Sequence, residues 1–216
     1  MASYVLFDLD GTLTDPALGI TNSIMHMLRR TGRDIPPREE LYCFIGPPLV
    51  PTFKKVFGMT DEEGAEALVL YREHFATKGL YENEPYEGIA DALARIRASG
   101  KKLALATSKP EEFAEKILVH FGLREYFDVV GGASMDEKRV SKSDVIEYVL
   151  DKAGAKAEDA VMVGDRLHDV EGAAKFGIPT VGVLWGYGSR EELEQAGAKW
   201  IARTMDDMVN AIIKEA

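Results

Sequence analysis

The sequence predicts an α/β fold, a doubly wound parallel sheet with helices on both faces, and three observations lead there. Short apolar runs recur along the chain: YVLF at 4–7, KLALAT at 102–107, FDVVGG at 127–132, AVMVG at 160–164 and TVGV at 180–183. After the first, they alternate with stretches of helical period, the pattern of strand-helix units around a parallel, Rossmann-like sheet. Glycine closes each intervening helix, at Gly100, Gly122, Gly154 and Gly177. From 16 to 83 the strand-like runs disappear and only helical spacing remains, over a segment too long to be a loop. The expected organisation is a core of residues 1–15 and 84–216 with a small helical domain, 16–83, inserted into it.

Taken in order, Tyr4 to Leu9 reads as a strand buried on both faces, interrupted by Asp8 and then followed by Asp10. Two residues apart, these carboxylates share a face if strand geometry persists. Gly11 lets the backbone turn or approach a ligand closely, and Thr12 adds a hydroxyl. Leu18 to Arg30 places Ile20, Ile24, Met27 and Leu28 on one helical stripe before Gly32. Pro36, Pro37, Gly46, Pro47, Pro48 and Pro51 punctuate a loop-rich stretch around a short apolar helix. Thr60 and Glu63 have capping-box spacing and open a helix to about Tyr81, with Ala65, Leu68, Tyr71 and Phe75 inward. Beyond it come a helix from Ile89 to Ser99, a second capping box at Ser108 and Glu111 opening a helix to Phe121, and helices over Lys142–Ala153 and Asp165–Phe176. A glycine-rich loop through Gly188 and two more helical stretches finish the chain.

Composition narrows the function. At 216 residues with 46% hydrophobic content the chain buries a substantial core. A formal net charge of -10 argues against a general polyanion binder such as a nucleic-acid protein, but not against a small phosphorylated ligand held by a few local charges. The single cysteine, Cys43, excludes an intrachain disulfide and reads as a small buried apolar side chain. No secretory leader and no apolar run of about 18 residues is present, so a cytoplasmic, non-membrane protein is expected. There is no GxxxxGK[ST] loop, and the GYG at 186–188 lacks the third glycine of a dinucleotide fingerprint. The histidines lack metal-ligand spacing; His26, His74 and His120 read as structural or solvent-facing, and Trp185 and Trp200 as packing residues.

Ligands of such sheets lie beyond the carboxyl ends of the strands. Asp8 and Asp10 follow the first run, Thr107 and Ser108 the second, and Gly164, Asp165 and Asp169 the fourth. Each alone is accounted for as a turn, a cap or compensation of a helix dipole. Lys142 is not: in the first turn of a helix capped by Ser141 it opposes the dipole, at a cost of a few tenths to about 1 kcal/mol. Four carboxylates gathered at one sheet edge repel unless a cation bridges them, and oxygen-only ligation suits Mg²⁺. A carboxylate nucleophile beside a metal is the equipment of phosphoryl transfer.

DLDGT at 8–12, LALATS at 103–108, SKSD at 141–144 and GDRLHD at 164–169 resemble, in order and spacing, the four motifs of the haloacid dehalogenase superfamily. The resemblance extends over essentially the whole chain. FIGPPL at 44–49, ATSKP at 106–110 and GVLWGYGS at 182–189 look like its short-insert branch of phosphoglycolate phosphatases and 5′-nucleotidases, in which residues 16–83 form a helical cap. The resemblance implies that Asp8 attacks phosphorus and that Asp10 serves as acid and then base. Asp8, Asp165 and the backbone carbonyl of Asp10 would hold Mg²⁺, with Asp169 beside the ion directly or through another ligand. Thr107 and Lys142 would complete the catalytic set, and Gly11, Thr12, Ser108 and Lys142 would bind substrate. The implied substrate is a small phosphorylated metabolite, phosphoglycolate or a nucleoside monophosphate. Phosphomutase or pyrophosphatase activity on the same scaffold is the alternative. Asp10 separates both from the dehalogenase branch, which has no leaving alkoxide to protonate. A receiver-type signalling module also uses Asp, Mg²⁺, Thr or Ser and Lys, but receivers are shorter and their acidic pair precedes the acceptor strand. The Gly46–Pro48 loop is expected to help close the cap and select substrate. The oligomeric state is not legible in the sequence.

Overall fold

The structure, a computed structural model, describes residues 2–136 and 138–216. Its main sheet has six strands, here numbered in chain order with the two-stranded ribbon described below: β1 (Tyr4–Phe7), β4 (Lys102–Pro110), β5 (Val129–Ala133), β6 (Ala160–Gly164), β7 (Thr180–Val183) and β8 (Trp200–Ala202). They run parallel in the order β5-β4-β1-β6-β7-β8. β1 lies inside the sheet, Val5 pairing with Leu103 on one side and Val161 on the other, and Val5, Leu6 and Phe7 are fully buried, so both its edges and its faces are covered. Its period-two alternation sends Val5 and Phe7 into one core and Leu6 into another, where Leu6 meets Ala104, Ile146 and Met162. That double burial is why the run is apolar throughout.

Helices α4 (Ile89–Ala98), α5 (Glu111–His120), α6 (Lys142–Ala153), α7 (Leu167–Ala174), α8 (Arg190–Ala196) and α9 (Met205–Asn210) connect or follow the strands. The segment between β1 and α4 leaves and returns through a small antiparallel ribbon, β2 (Thr14–Asp15) paired with β3 (Glu84–Pro85). Between these strands lie α1 (Ala17–Arg30), a 3-10 turn over Arg38–Phe44, α2 (Leu49–Phe57) and α3 (Asp61–His74), which continues as a π turn to Gly79. Phe44, Phe53 and Phe57 cluster within this unit, with Phe44 and Phe57 stacked at 5.3 Å. The Thr60–Glu63 and Ser141–Asp144 capping boxes both form. Among the described residues, no helix is long and apolar enough to cross a membrane.

Several local expectations are corrected. Ser108 does not cap α5: β4 runs on through Pro110, and Pro110, with no side-chain cap bond, is the N-cap. The pyrrolidine ring fixes φ at the N-cap, so the chain enters α5 with no side chain accepting from its first amides. The inward face of α3 carries Gly64, Ala67, Leu68 and Tyr71, not Ala65, since Gly64 is the position that faces Val50 of α2. Cys43 is exposed, on a short 3-10 turn whose inward positions are Leu41 and Phe44. Within the stretch after Gly188, β8 intervenes between α8 and α9: three residues are too short a run to show a period.

Candidate active site

The Asp8 amide still donates to the Val163 carbonyl of β6 at 2.9 Å, and the backbone then turns. The amides of Thr12, Leu13 and Thr14 all turn back to the Leu9 carbonyl, at 3.2, 2.9 and 3.1 Å. The two carboxylates meet different cations. Lys142 Nζ is 2.8 Å from Asp8 Oδ1 and 2.7 Å from Asp169 Oδ1, and it donates to the Ala106 carbonyl at 3.0 Å. Lys109 Nζ reaches both oxygens of Asp10, at 2.8 and 2.7 Å, and lies 4.6 Å from the centre of the Phe75 ring, which belongs to the inserted unit. All five charged groups are buried: Asp8 4%, Asp10 7%, Lys109 7%, Lys142 6% and Asp169 1% exposed.

Glycines make room for this convergence. Gly11 adopts φ +82, and a Cβ there would stand 2.2 Å from Asp165 Oδ2. From the other side Gly186 would meet the same oxygen at 2.3 Å, and Gly188 the Asp165 carbonyl at 2.0 Å. The GYG stretch thus encloses a carboxylate instead of a dinucleotide, with the Tyr187 amide donating to Asp165 Oδ2 at 2.7 Å. Gly164 leaves space for the Asp169 carboxyl, and Gly172 lets α7 pass Lys142, where a Cβ would be 2.7 Å from its Cγ.

Asp8, Asp165 and Asp169 each present one oxygen within 4.8 Å of the others. Asp165 Oδ1 is buried with no hydrogen-bond partner among the described residues. Burial, reinforced by Asp169 and Asp8, pushes the Asp165 carboxyl well above the usual carboxylate range. Burial also pushes Asp169 up to about 6, opposed by Lys142 and reinforced by Asp8. Burial alone would pull the Lys142 ammonium down, but Asp169 and Asp8 outweigh it and hold it charged above its ordinary range. Three buried carboxylates, only two of them paired with an ammonium, repel one another when ionised, and a further cation relieves this. The donors are all hard oxygens, so the cluster fits a hard divalent ion. The Asp10 carboxylate stands outside it, engaged by Lys109. Burial raises its pKa even against the adjacent ammonium, and Asp8 adds to the rise.

The other expected residues divide. Thr107 is buried beside Ala106, its hydroxyl accepting from the Lys109 amide at 3.2 Å. Ser108 borders a cleft between β4 and the inserted helices, with Asp10 and Lys109 also in its lining. Thr12 is fully buried; its carbonyl accepts from Trp185 Nε1 at 3.0 Å, and its side chain does not line that cleft. Trp185 therefore ties down the turn after the first motif as well as packing. Lys109 was not among the expected site residues. Its position just before Pro110 reads as a strand end, without the helix-dipole conflict that marks Lys142. Arg166 was also missed. It pairs with Glu192 at 2.8 Å and donates to the Ile45 carbonyl at 2.8 Å, holding the loop before Gly46 against the sheet edge.

The chain is 43% identical over 189 residues, 88% of its length and 86% of the relative's, to the 5′-nucleotidase of Pseudomonas aeruginosa. It is 42% identical over 210 residues, 96% of its length and 72% of the relative's, to the tyrosine-protein kinase PtkA of Mycobacterium tuberculosis. With the phosphoglycolate phosphatase of Aquifex aeolicus it shares 33% identity over 184 residues, 85% of each chain. A crystal structure of a predicted phosphatase from Clostridium acetobutylicum superposes with a TM-score of 0.97 at 42% identity, covering 99% of both chains. The sequence model for haloacid dehalogenase-like hydrolases matches residues 5–183, a span that holds all four motifs and every carboxylate and lysine of the site, and the chain belongs to that family.

Proposed function

We propose that this hydrolase is a Mg²⁺-dependent phosphatase of small phosphate monoesters, working through a phosphorylated Asp8. The observation that carries the reading is the separation of the two aspartates of DLDGT: Asp8 joins the carboxylate cluster, while Asp10 faces the cleft with its own lysine. A Asp8 oxygen attacks phosphorus, forming an aspartyl phosphate as the ester P–O bond breaks. Asp10, whose raised pKa suits a proton donor, gives its proton to the departing oxygen. The same carboxylate then takes a proton from water as the water attacks phosphorus, releasing inorganic phosphate and restoring Asp8. Lys142 and Thr107 steady the phosphoryl oxygens. Asp8, Asp165, Asp169 and the Asp10 backbone carbonyl would hold Mg²⁺, which when bound offsets the charge of carboxylates and phosphoryl group. Residues 16–83 act as the cap, and the Gly46–Pro48 loop, which lines the cleft, is its closing edge.

The test is release of inorganic phosphate from phosphoglycolate, nucleoside monophosphates, sugar phosphates and pyrophosphate in the presence of Mg²⁺. No release from any of them refutes the reading. A second reading, transfer to an acceptor other than water, is favoured by the similarity to PtkA. It predicts a phosphorylated or isomeric organic product in place of free phosphate.

Two further outcomes are expected. Asp10→Asn lowers kcat on alkyl phosphates by about 10²- to 10⁴-fold, the range of general acid-base catalysis. It spares p-nitrophenyl phosphate relatively, because that leaving group departs without a proton; an equal loss on both would remove Asp10 from the acid role. Mg²⁺ at about 100 times its Kd adds about 2.7 kcal/mol, worth about 5–10 °C in melting temperature for a chain of this size. A chelator reverses the shift and the activity together. Absence of any shift, with chelator-resistant turnover, would reject the cation site.

A further inference from the structure

The Gly46–Pro48 loop lines the same cleft as Asp10 and Lys109, so its position decides how closely the inserted unit covers the group that leaves with the ester oxygen. The loop has little with which to fasten itself. Pro47 and Pro48 carry no N–H, and the Ile45 amide is spent inside the insert, on the Tyr42 carbonyl at 3.0 Å. Among the described residues, one hydrogen bond joins residues 44–48 to the sheet-bearing part of the chain: Arg166 Nη1 donates to the Ile45 carbonyl at 2.8 Å.

Both sides of that bond are prepared for it. Arg166 lies between Asp165 and Asp169, and its amide donates to Asp169 Oδ2 at 3.1 Å, so its backbone is fixed at the carboxylate cluster. Its side chain divides its donors, Nε reaching Glu192 Oε1 at 2.8 Å while Nη1 reaches the loop. The same Glu192 oxygen accepts the Leu167 amide at 2.9 Å, and the Glu192 amide is held by the α8 cap, Ser189, at 3.1 Å. The guanidinium is thus oriented independently of the loop, and its rigid fork serves two acceptors at once. From the loop side, Gly46 adopts φ +98 and lies against the arginine stem, where a Cβ would stand 3.3 Å from Cγ. The two parts are also tied by the Tyr187 hydroxyl, which donates to Asp15. Asp15 belongs to the β2-β3 ribbon where the chain crosses between the parts, whereas the Arg166 bond spans the lip of the cleft and breaks when the cleft opens.

We propose, building on the phosphatase reading, that Arg166 is a positioning residue: oriented by Glu192, it latches the Gly46–Pro48 loop over the cleft and so sets how tightly the leaving group is held. A hydrogen bond from a charged donor is worth a factor of about 10 to 100 in the balance between latched and open loop. A leaving group held only under the latched loop binds more weakly by up to that factor once the bond is gone. The phosphoryl group, held by Lys142 and Thr107 outside the insert, is not affected.

The experiment uses the full chain with Mg²⁺ and Arg166→Met, which keeps a stem against Gly46 and removes the donors. Kinetics are measured on the most active of phosphoglycolate, adenosine 5′-monophosphate, glucose 6-phosphate and pyrophosphate, with inorganic phosphate as inhibitor. KM is expected to rise about 10- to 100-fold, while kcat changes by less than about threefold. The inhibition constant of inorganic phosphate, which carries no leaving group, stays within about twofold. Hydrogen exchange at the amides of Phe44 and Ile45, both buried, quickens by about tenfold or more. Glu192→Gln keeps an oxygen for the Leu167 amide but loosens the guanidinium, and it lies outside the cleft lining. It is expected to move KM and exchange in the same direction by about three- to tenfold, and it carries the test if Arg166→Met does not fold. Unchanged KM, unchanged exchange, or a phosphate inhibition constant that rises as much as KM overturns the latch and leaves the phosphatase reading standing. If the wild-type enzyme releases phosphate from none of the four compounds, the phosphatase reading falls, and exchange at Phe44 and Ile45 alone decides the latch.

Discussion

Asp8→Asn abolishes phosphate release from every ester, a fall of about 10⁵-fold or more, the scale seen when a covalent nucleophile is removed. The amide has no anionic oxygen for phosphorus and cannot form the acyl phosphate through which the two half-reactions run. The change is nearly isosteric, and Lys142 keeps its contact with Asp169 and its bond to the Ala106 carbonyl. The variant therefore folds, and removing one of three clustered anions lessens their repulsion. Rapid-quench trapping of the wild-type enzyme should find label on Asp8, and Asp8→Asn should carry none. Turnover by the variant within about 10²-fold of wild type would exclude Asp8 as nucleophile and leave the site to direct attack by water.

The parts of this site that were legible in sequence are those where a residue type conflicts with its local setting. Lys142 opposes a helix dipole, and its helix was delimited correctly from Ser141 and Gly154, because both caps have strong local chemistry. Asp165 and Asp169 were placed together by their spacing, and the structure brings them within reach of Asp8. What stayed hidden depends on contacts distant in sequence. Lys109 is 99 residues from Asp10, and nothing in ATSKP distinguishes it from an exposed strand-end lysine. Arg166 owes its importance to a carbonyl 121 residues away. Gly186 and Gly188 fall short of a nucleotide fingerprint and have no other reading in sequence; their smallness serves Asp165, which only the folded chain sets against them. The inserted unit was read well where a helix had a full amphipathic stripe, as in α1. It was read less well at Ala65 and Cys43, where packing against α2 and the tightness of a 3-10 turn decide which side faces inward. Sequence period reports the face an element would bury alone, and neighbouring elements can rotate that face by a residue.

Lys142→Met provides the most demanding test of the electrostatic account, because it is expected to affect folding and turnover in separable ways. The ammonium is the cation that Asp8 and Asp169 share, and methionine fills much of the same space without charge. Removing one partner of a buried ion pair costs about 3–5 kcal/mol, a drop of about 6–20 °C in melting temperature without divalent ion. Mg²⁺ should recover much of that loss, since a bound cation among Asp8, Asp165 and Asp169 offsets the charge that lysine no longer offsets. Turnover should not recover with it. The phosphoryl oxygens lose a preorganised donor, for which about 10²- to 10³-fold in kcat is the expected scale. Nor should Lys142→Arg rescue either property: the buried ammonium is enclosed by Asp8, Asp169 and the Ala106 carbonyl at 2.7–3.0 Å, a setting fitted to a compact point charge and not to a larger planar guanidinium. A variant with unchanged melting temperature would show that the carboxylates do not depend on this lysine. Full activity in Mg²⁺ would show that its charge is structural and that the phosphoryl group is held by other donors.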